Sequence, residues 1–194
     1  MSVVSITEAW PAPGRPFTVA ELDRMPDDGH RYELLDGALV VSPRPGNPHR
    51  LVAFTLATTL DRTCPPEYQV LPEPAVQISR TTEFAPDLVV IRQEQVHAAK
   101  CNEPPLLVVE VRSPSTALID LNLKKAAYER FGVASYWVVV PDPGQPELIV
   151  FELRGGRYHE AAHVAGDEVF AADRPFRVEV IPSRLVARLQ PGGR

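Results

Sequence analysis

The sequence predicts an α/β domain with a mixed central sheet and flanking helices. Three observations carry that reading. Leu106-Leu-Val-Val-Glu-Val and Tyr136 to Val140 are apolar runs without alternation, as expected of strands covered on both faces. Between them, Ala117 to Phe131 repeats apolar residues at helical spacing. The 21 prolines among 194 residues fall mostly between apolar runs, where they punctuate many short elements. This length suits a single domain, expected over residues 17–190, with a loose arm at 1–16 and a frayed tail at 191–194.

The elements follow in order. Thr18-Val-Ala-Glu21 has the spacing of a capping box and opens a short helix that Pro26 and Gly29 stop. Arg31 to Leu35 and Ala38 to Ser42 flank Asp36-Gly37, a pair suited to a two-residue hairpin turn. Asn47 before Pro48 reads as an N-cap with proline at the first helical position, and Leu51, Val52, Leu56 and Leu60 carry that helix towards Cys64. Strands are expected at Tyr68 to Ile78, Pro86 to Ile91 and Leu106 to Val111. Ser113-Pro-Ser-Thr supplies a turn and an N-cap for the helix from about Ala117, and Gly132 closes it. After the strand at Tyr136 to Val140, Glu147 to Leu153 and Arg157 to Ala162 form a hairpin across Gly155-Gly156.

Composition excludes several classes. The net charge of −5 rules out a bulk cationic field, so any polyanionic partner must be met by a local patch. Cys64 and Cys101 have no CxxC partner, which fits neither a zinc ribbon nor a disulfide framework and suits a reducing compartment. No apolar stretch approaches the length of a membrane span and no secretion signal opens the chain, so a cytoplasmic protein without membrane attachment is expected. There is no P-loop, GxGxxG or GxSxG motif.

Two acidic residues stand out because each lies in an apolar run, where an uncompensated carboxylate is costly. Asp87 opens one strand and Glu110 sits near the end of another. If those strands are neighbours, both carboxylates can meet at one edge of the sheet, and a divalent cation with oxygen ligands is a natural compensator. The alternative is a local arginine such as Arg112. On the following helix, a projection at about 100° per residue places Ala117, Asp120, Leu121, Lys124, Ala127, Tyr128 and Phe131 on one arc with Lys124 at its middle. A lysine there is poorly explained as a solvated charge, although an Asp120–Lys124 pair would account for it; Lys125 points to the edge of the face and reads as a surface charge. Carboxylates that hold Mg2+ (or Mn2+), together with a lysine that positions water or offsets charge, are the set needed for phosphodiester hydrolysis.

Tyr32-Glu-Leu-Leu-Asp-Gly37, Pro86-Asp-Leu-Val-Val90, Val109-Glu-Val-Arg-Ser-Pro-Ser115, Asp120 through Lys124 to Tyr128, and Gly132-Val-Ala-Ser-Tyr-Trp137 together resemble the Uma-two family of endonucleases. That family belongs to the restriction-endonuclease-like PD-(D/E)XK superfamily, and the likeness covers roughly Thr18 to Leu153. The resemblance implies an αβββαβ core, followed here by a C-terminal β-hairpin, with Asp87 and Glu110 as metal ligands and Glu33 as a third acid, a solvent-facing strand glutamate being the alternative for Glu33. It implies that Lys124 replaces a lysine usually found two residues after the glutamate, where this chain has Arg112. A guanidinium cannot act as a base at neutral pH, so Arg112 reads as a phosphate contact or a carboxylate partner. Ser135 stands where the family usually has an acid. DNA as substrate and a homodimer are further implications.

His49, at the start of a helix, is a candidate substrate contact if it faces the cleft; an exposed helix-end histidine is the alternative. His30 and His97 have no partner pattern. His159-Glu-Ala-Ala-His163 matches HExxH, a zinc peptidase signature in which both histidines share a helix face. Glycines on both sides leave about nine residues, too few for the long helix such enzymes use, and the surroundings suit a strand. About one chain in a hundred of this composition shows the motif by accident. A metal-dependent nuclease is therefore the leading expectation, a non-cleaving binding module on the same fold the second, and a zinc peptidase the third.

Overall fold

The computed structural model describes residues 14–112 and 119–189. Its centre is a six-stranded sheet in the order β10-β9-β8-β7-β6-β3, built from Tyr68–Pro72 (β3), Leu88–Arg92 (β6), Leu107–Val111 (β7), Ser135–Val140 (β8), Glu147–Arg154 (β9) and Arg157–Ala165 (β10). Only β7 and β8 pair in parallel; the other neighbours are antiparallel. A parallel pair needs a crossover, and the helix between these strands belongs to it.

The two faces are covered differently. On one lies α2, Asn47–Asp61, whose Val52, Leu56 and Leu60 are fully buried against Val90, Leu107, Val109 and Trp137. Each such side chain stabilises the fold by about 1.5–3 kcal/mol relative to exposure. The same core takes in Phe170–Ala172 (β11), Val178–Val180 (β12) and Pro182–Val186 (α4). On the other face lie α3, Lys125–Phe131, and part of a four-stranded sheet ordered β2-β1-β5-β4. Its strands are His30–Leu35 (β1), Ala38–Pro43 (β2), Val76–Ser79 (β4) and Thr82–Phe84 (β5). No helix among the described residues is long and apolar enough to cross a membrane.

The hairpin forms as expected, with Leu35 opposite Ala38 and Asp36-Gly37 at φ +48° and +84°. Gly37 is required twice over: its φ is left-handed, and a Cβ there would overlap the Pro16 side chain. Thr18 and Glu21 form their capping contact, the Glu21 carboxylate accepting the Thr18 backbone N–H at 2.9 Å and its hydroxyl at 2.8 Å. The helix they open, Val19–Leu22 (α1), is a single turn.

Several expectations are corrected. The stretch from Tyr68 to Ile78 is two strands in different sheets, because the chain turns at Glu73, φ +48°, beside Pro74. Asn47 is the first residue of α2 and Gly46 its cap, while the helix ends at Asp61. Asp87 immediately precedes β6. The helix closed by Gly132, φ +94°, is not uniform: Ile119–Lys124 winds as a wider π-type turn before α3. β5, β11, β12 and α4 were not expected. The Ser113-Pro-Ser-Thr turn, the helix start at Ala117, the tail at 191–194 and most of the arm lie outside the described residues.

Candidate active site

Leu88 of β6 pairs with Val109 of β7, and one further step of that register sets Asp87 opposite Glu110. Asp87 Oδ2 accepts the backbone N–H of Val111 at 2.7 Å, tying its carboxylate to the residue after Glu110. Both acids are buried, at 3% and 2% exposure. The two strands are therefore neighbours, the condition on which a meeting of the carboxylates at one sheet edge depended.

Lys124 reaches this edge from the end of the π-type turn. Its Nζ donates to Glu33 Oε1 at 2.8 Å and to Glu110 Oε1 at 3.1 Å, and all three side chains are nearly fully buried. Tyr128, one helical turn on, donates its hydroxyl to the same Glu110 oxygen at 3.2 Å. Glu33 Oε1 also accepts the Ala85 N–H at 2.9 Å. The ammonium lies 5.4 Å from the centre of the Phe84 ring. Buried charges persist only when paired and hydrogen-bonded, and this set meets that condition. Burial, with Glu110 alongside, pushes the Tyr128 phenol far above its usual pKa, so it remains a donor. The Asp120 side chain, and with it the expected Asp120–Lys124 pair, lies outside the described part of the structure.

The Asp87 side carries its own cations. His49 Nε2 donates to the Val111 carbonyl at 2.7 Å and lies 3.3 Å from Asp87 Oδ2. Arg31 sets Nη1 3.5 Å from Asp87 Oδ1 and donates through Nη2 to Glu73 at 2.9 Å. Burial opposes the charged form of Asp87, yet the contact with His49, the Val111 N–H and Arg31 hold its pKa below the ordinary value. Burial is the largest influence on His49 and works against its charged form, but the bond to Asp87, the Asp87 charge and the Val111 carbonyl together outweigh it and its pKa is raised.

Lys124, Glu33 and Glu110 thus form one bonded set, and Asp87, His49 and Arg31 form another, linked by the bond from the Val111 N–H, next to Glu110, to Asp87. Arg112 does not join them: it is half-buried past the end of β7, its backbone N–H donates to Val139, and no salt bridge among the described residues involves its side chain. The arginine on the cluster is Arg31, which the sequence reading missed. Its signal was the two-residue spacing from Glu33, which puts both on one face of β1. Lys125 departs from a plain surface charge, being half-buried with its ammonium 3.7 Å from the centre of the Phe151 ring. Ser135 is buried and accepts the Trp137 indole N–H at 2.9 Å.

HExxH is not a helix. His159 to His163 lie on β10, where four residues span about 13 Å, and a bulge between Glu160 and Ala162 shifts the register within the motif. His163 instead contacts Glu147 at 2.8 Å. This overturns the peptidase reading.

Asp87 and Glu110 offer hard carboxylate oxygens, the ligand type of Mg2+ and Mn2+. Mg2+ commonly keeps several waters and takes one or two carboxylates; among the described residues no three His, Cys, Asp or Glu side chains are grouped to hold an ion by themselves.

The chain is a mixed α/β protein with acids at neighbouring strand ends and a buried lysine against one of them, Glu110. The same fold is seen in the crystal structure of "a putative nuclease belonging to DUF820" from Anabaena variabilis ATCC 29413, with a TM-score of 0.70, 16% identity and coverage of 90% of this chain and 100% of that one. The model of the Uma2 family, described as "Putative restriction endonuclease", matches residues 19–184, and the chain belongs to that family. No curated protein matched it.

Proposed function

We propose that this protein hydrolyses DNA phosphodiester bonds with a divalent cation, Mg2+ or Mn2+, held by Asp87 and Glu110. The observation that carries the reading is the buried Lys124 ammonium bonded to both Glu33 and Glu110, beside an Asp87 tied to the next residue of the same strand. When bound, such a cation polarises the phosphate and acidifies an attacking water. Lys124 supplies a fixed positive charge for orienting that water or offsetting charge on the phosphate. Glu33 holds the ammonium in place and is a positioning residue here. His49 and Arg31 face Asp87 and are the substrate contacts of this reading, the part the sequence had given to His49 and Arg112.

A second reading, nucleic-acid binding without cleavage, is favoured by one feature: cationic side chains already match the carboxylates. The two separate when supercoiled plasmid and circular single-stranded DNA are incubated with Mg2+ or Mn2+. Cutting by the wild type that disappears in Asp87→Ala supports hydrolysis. Equal cutting by that variant points to a contaminant, and binding by a wild type that never cuts supports the second reading.

A further inference from the structure

Three hollows join along the exposed side of α2. A groove of about 470 Å³ begins at His49 and Asp87 and runs over Ala53, Ala57, Val70 and Leu88. Arg50 and Glu73 line both this groove and a smaller hollow towards Arg31 and Arg44. Phe54 and Thr58 line both the groove and a cavity of about 570 Å³ between α2 and α4, where Arg62, Arg184 and Arg188 stand. Arg50, Phe54 and Thr58, with Arg62 at the cap of the helix, recur at every fourth residue and form one ridge about 18 Å long at 1.5 Å per residue.

Two features of this track point to its ligand. Phe54 is 59% exposed in the middle of the ridge, beside the apolar floor. Arg50, Arg62, Arg184 and Arg188 are exposed and make no salt bridge among the described residues, although the chain as a whole is acidic. Asp61, Glu73 and Glu179 also border the track, but Glu73 is engaged by Arg31. Arginines with no ion pair among the described residues, set around an exposed aromatic, are the footprint of a strand bound by its phosphates and its base faces.

We propose that this track binds an unpaired DNA strand, stacks a base on Phe54 and leads the strand to the Asp87 end. The proposal rests on the nuclease reading above for the identity of that end. A duplex keeps its base faces inside the stack and presents phosphates outward, so it has no counterpart for an apolar floor. An unpaired strand presents a π-face with each phosphate.

The test is fluorescence anisotropy with a short labelled oligothymidylate and a blunt duplex of equal length, in EDTA so that neither is cut. The strand is expected to bind at least about tenfold more tightly, a difference of about 1.4 kcal/mol. Phe54→Ala should weaken strand binding at least about fivefold and leave duplex binding unchanged. Val169→Ala removes an apolar side chain of similar exposure, 52%, away from the track and should change neither. Arg62→Ala should flatten the salt dependence of strand binding. Duplex binding as tight as strand binding, or a Phe54→Ala variant that binds like the wild type, overturns the proposal. A wild type that cuts DNA yet shows no strand preference removes the track and leaves the nuclease reading. A wild type that binds the strand as described but never cuts keeps the track and removes that reading.

Discussion

Lys124→Met is the most informative perturbation of the folded protein, because one ammonium serves two buried acids. The substitution keeps the volume and removes the charge, leaving Glu33 and Glu110 without the donor now 2.8 and 3.1 Å away. Removing one partner of a buried ion pair costs about 3–5 kcal/mol. Glu33 keeps the Ala85 N–H and Glu110 keeps the Tyr128 hydroxyl, which places the loss near the lower end, at about 3 kcal/mol. For a domain of this size that is a fall in Tm of about 6–12 °C. The assay is urea unfolding with a parallel thermal melt, without added metal. Adding Glu33→Gln removes one of the two stranded charges and should recover about 1–2 kcal/mol, giving strong non-additivity in the double-mutant cycle. A loss under about 1 kcal/mol for Lys124→Met, or strictly additive effects, would refute the reasoning.

Arg15 and Thr18 hold the Glu21 carboxyl at about 2, below its ordinary 4.5. Because the folded value is the lower one, the stabilisation is present above about pH 4.5 and is lost as pH falls towards 2; Glu21→Gln should lower stability near neutral pH and shrink the acid loss measured by urea midpoints. Gly37→Ala forces a side chain onto a left-handed residue and against Pro16, and should cost about 2 kcal/mol in the same unfolding assay. His163→Ala removes only an exposed contact with Glu147, so stability should change by less than about 0.5 kcal/mol and zinc content by elemental analysis not at all.

What could be read from the chain was whatever local chemistry decides. Asp36-Gly37 announced its hairpin because few residues accept positive φ at both central turn positions. Glu110 and Lys124 were visible because a charge in an apolar pattern demands a partner, and the partners prove to be each other, with Glu33. The break at Glu73 was hidden because a glutamate at positive φ carries no sequence signature. β11 and β12 are three residues each and depend on packing of Ala172, Val178 and Val180 into the core with α2, a tertiary cause that no local pattern reveals. The choice between Arg31 and Arg112 turned on distance along the chain. Arg112 is two residues from Glu110, whereas Arg31 reaches Asp87 only because β1 folds back beside the central sheet.

The central claim is that Asp87 and Glu110 together grip a divalent cation. Crystals soaked in Mn2+ and measured at its absorption edge test it directly. The account predicts an anomalous peak at coordination distance from both carboxylates, lost in Asp87→Asn. A peak bound elsewhere, or none while both acids keep their present ion pairs, would contradict it.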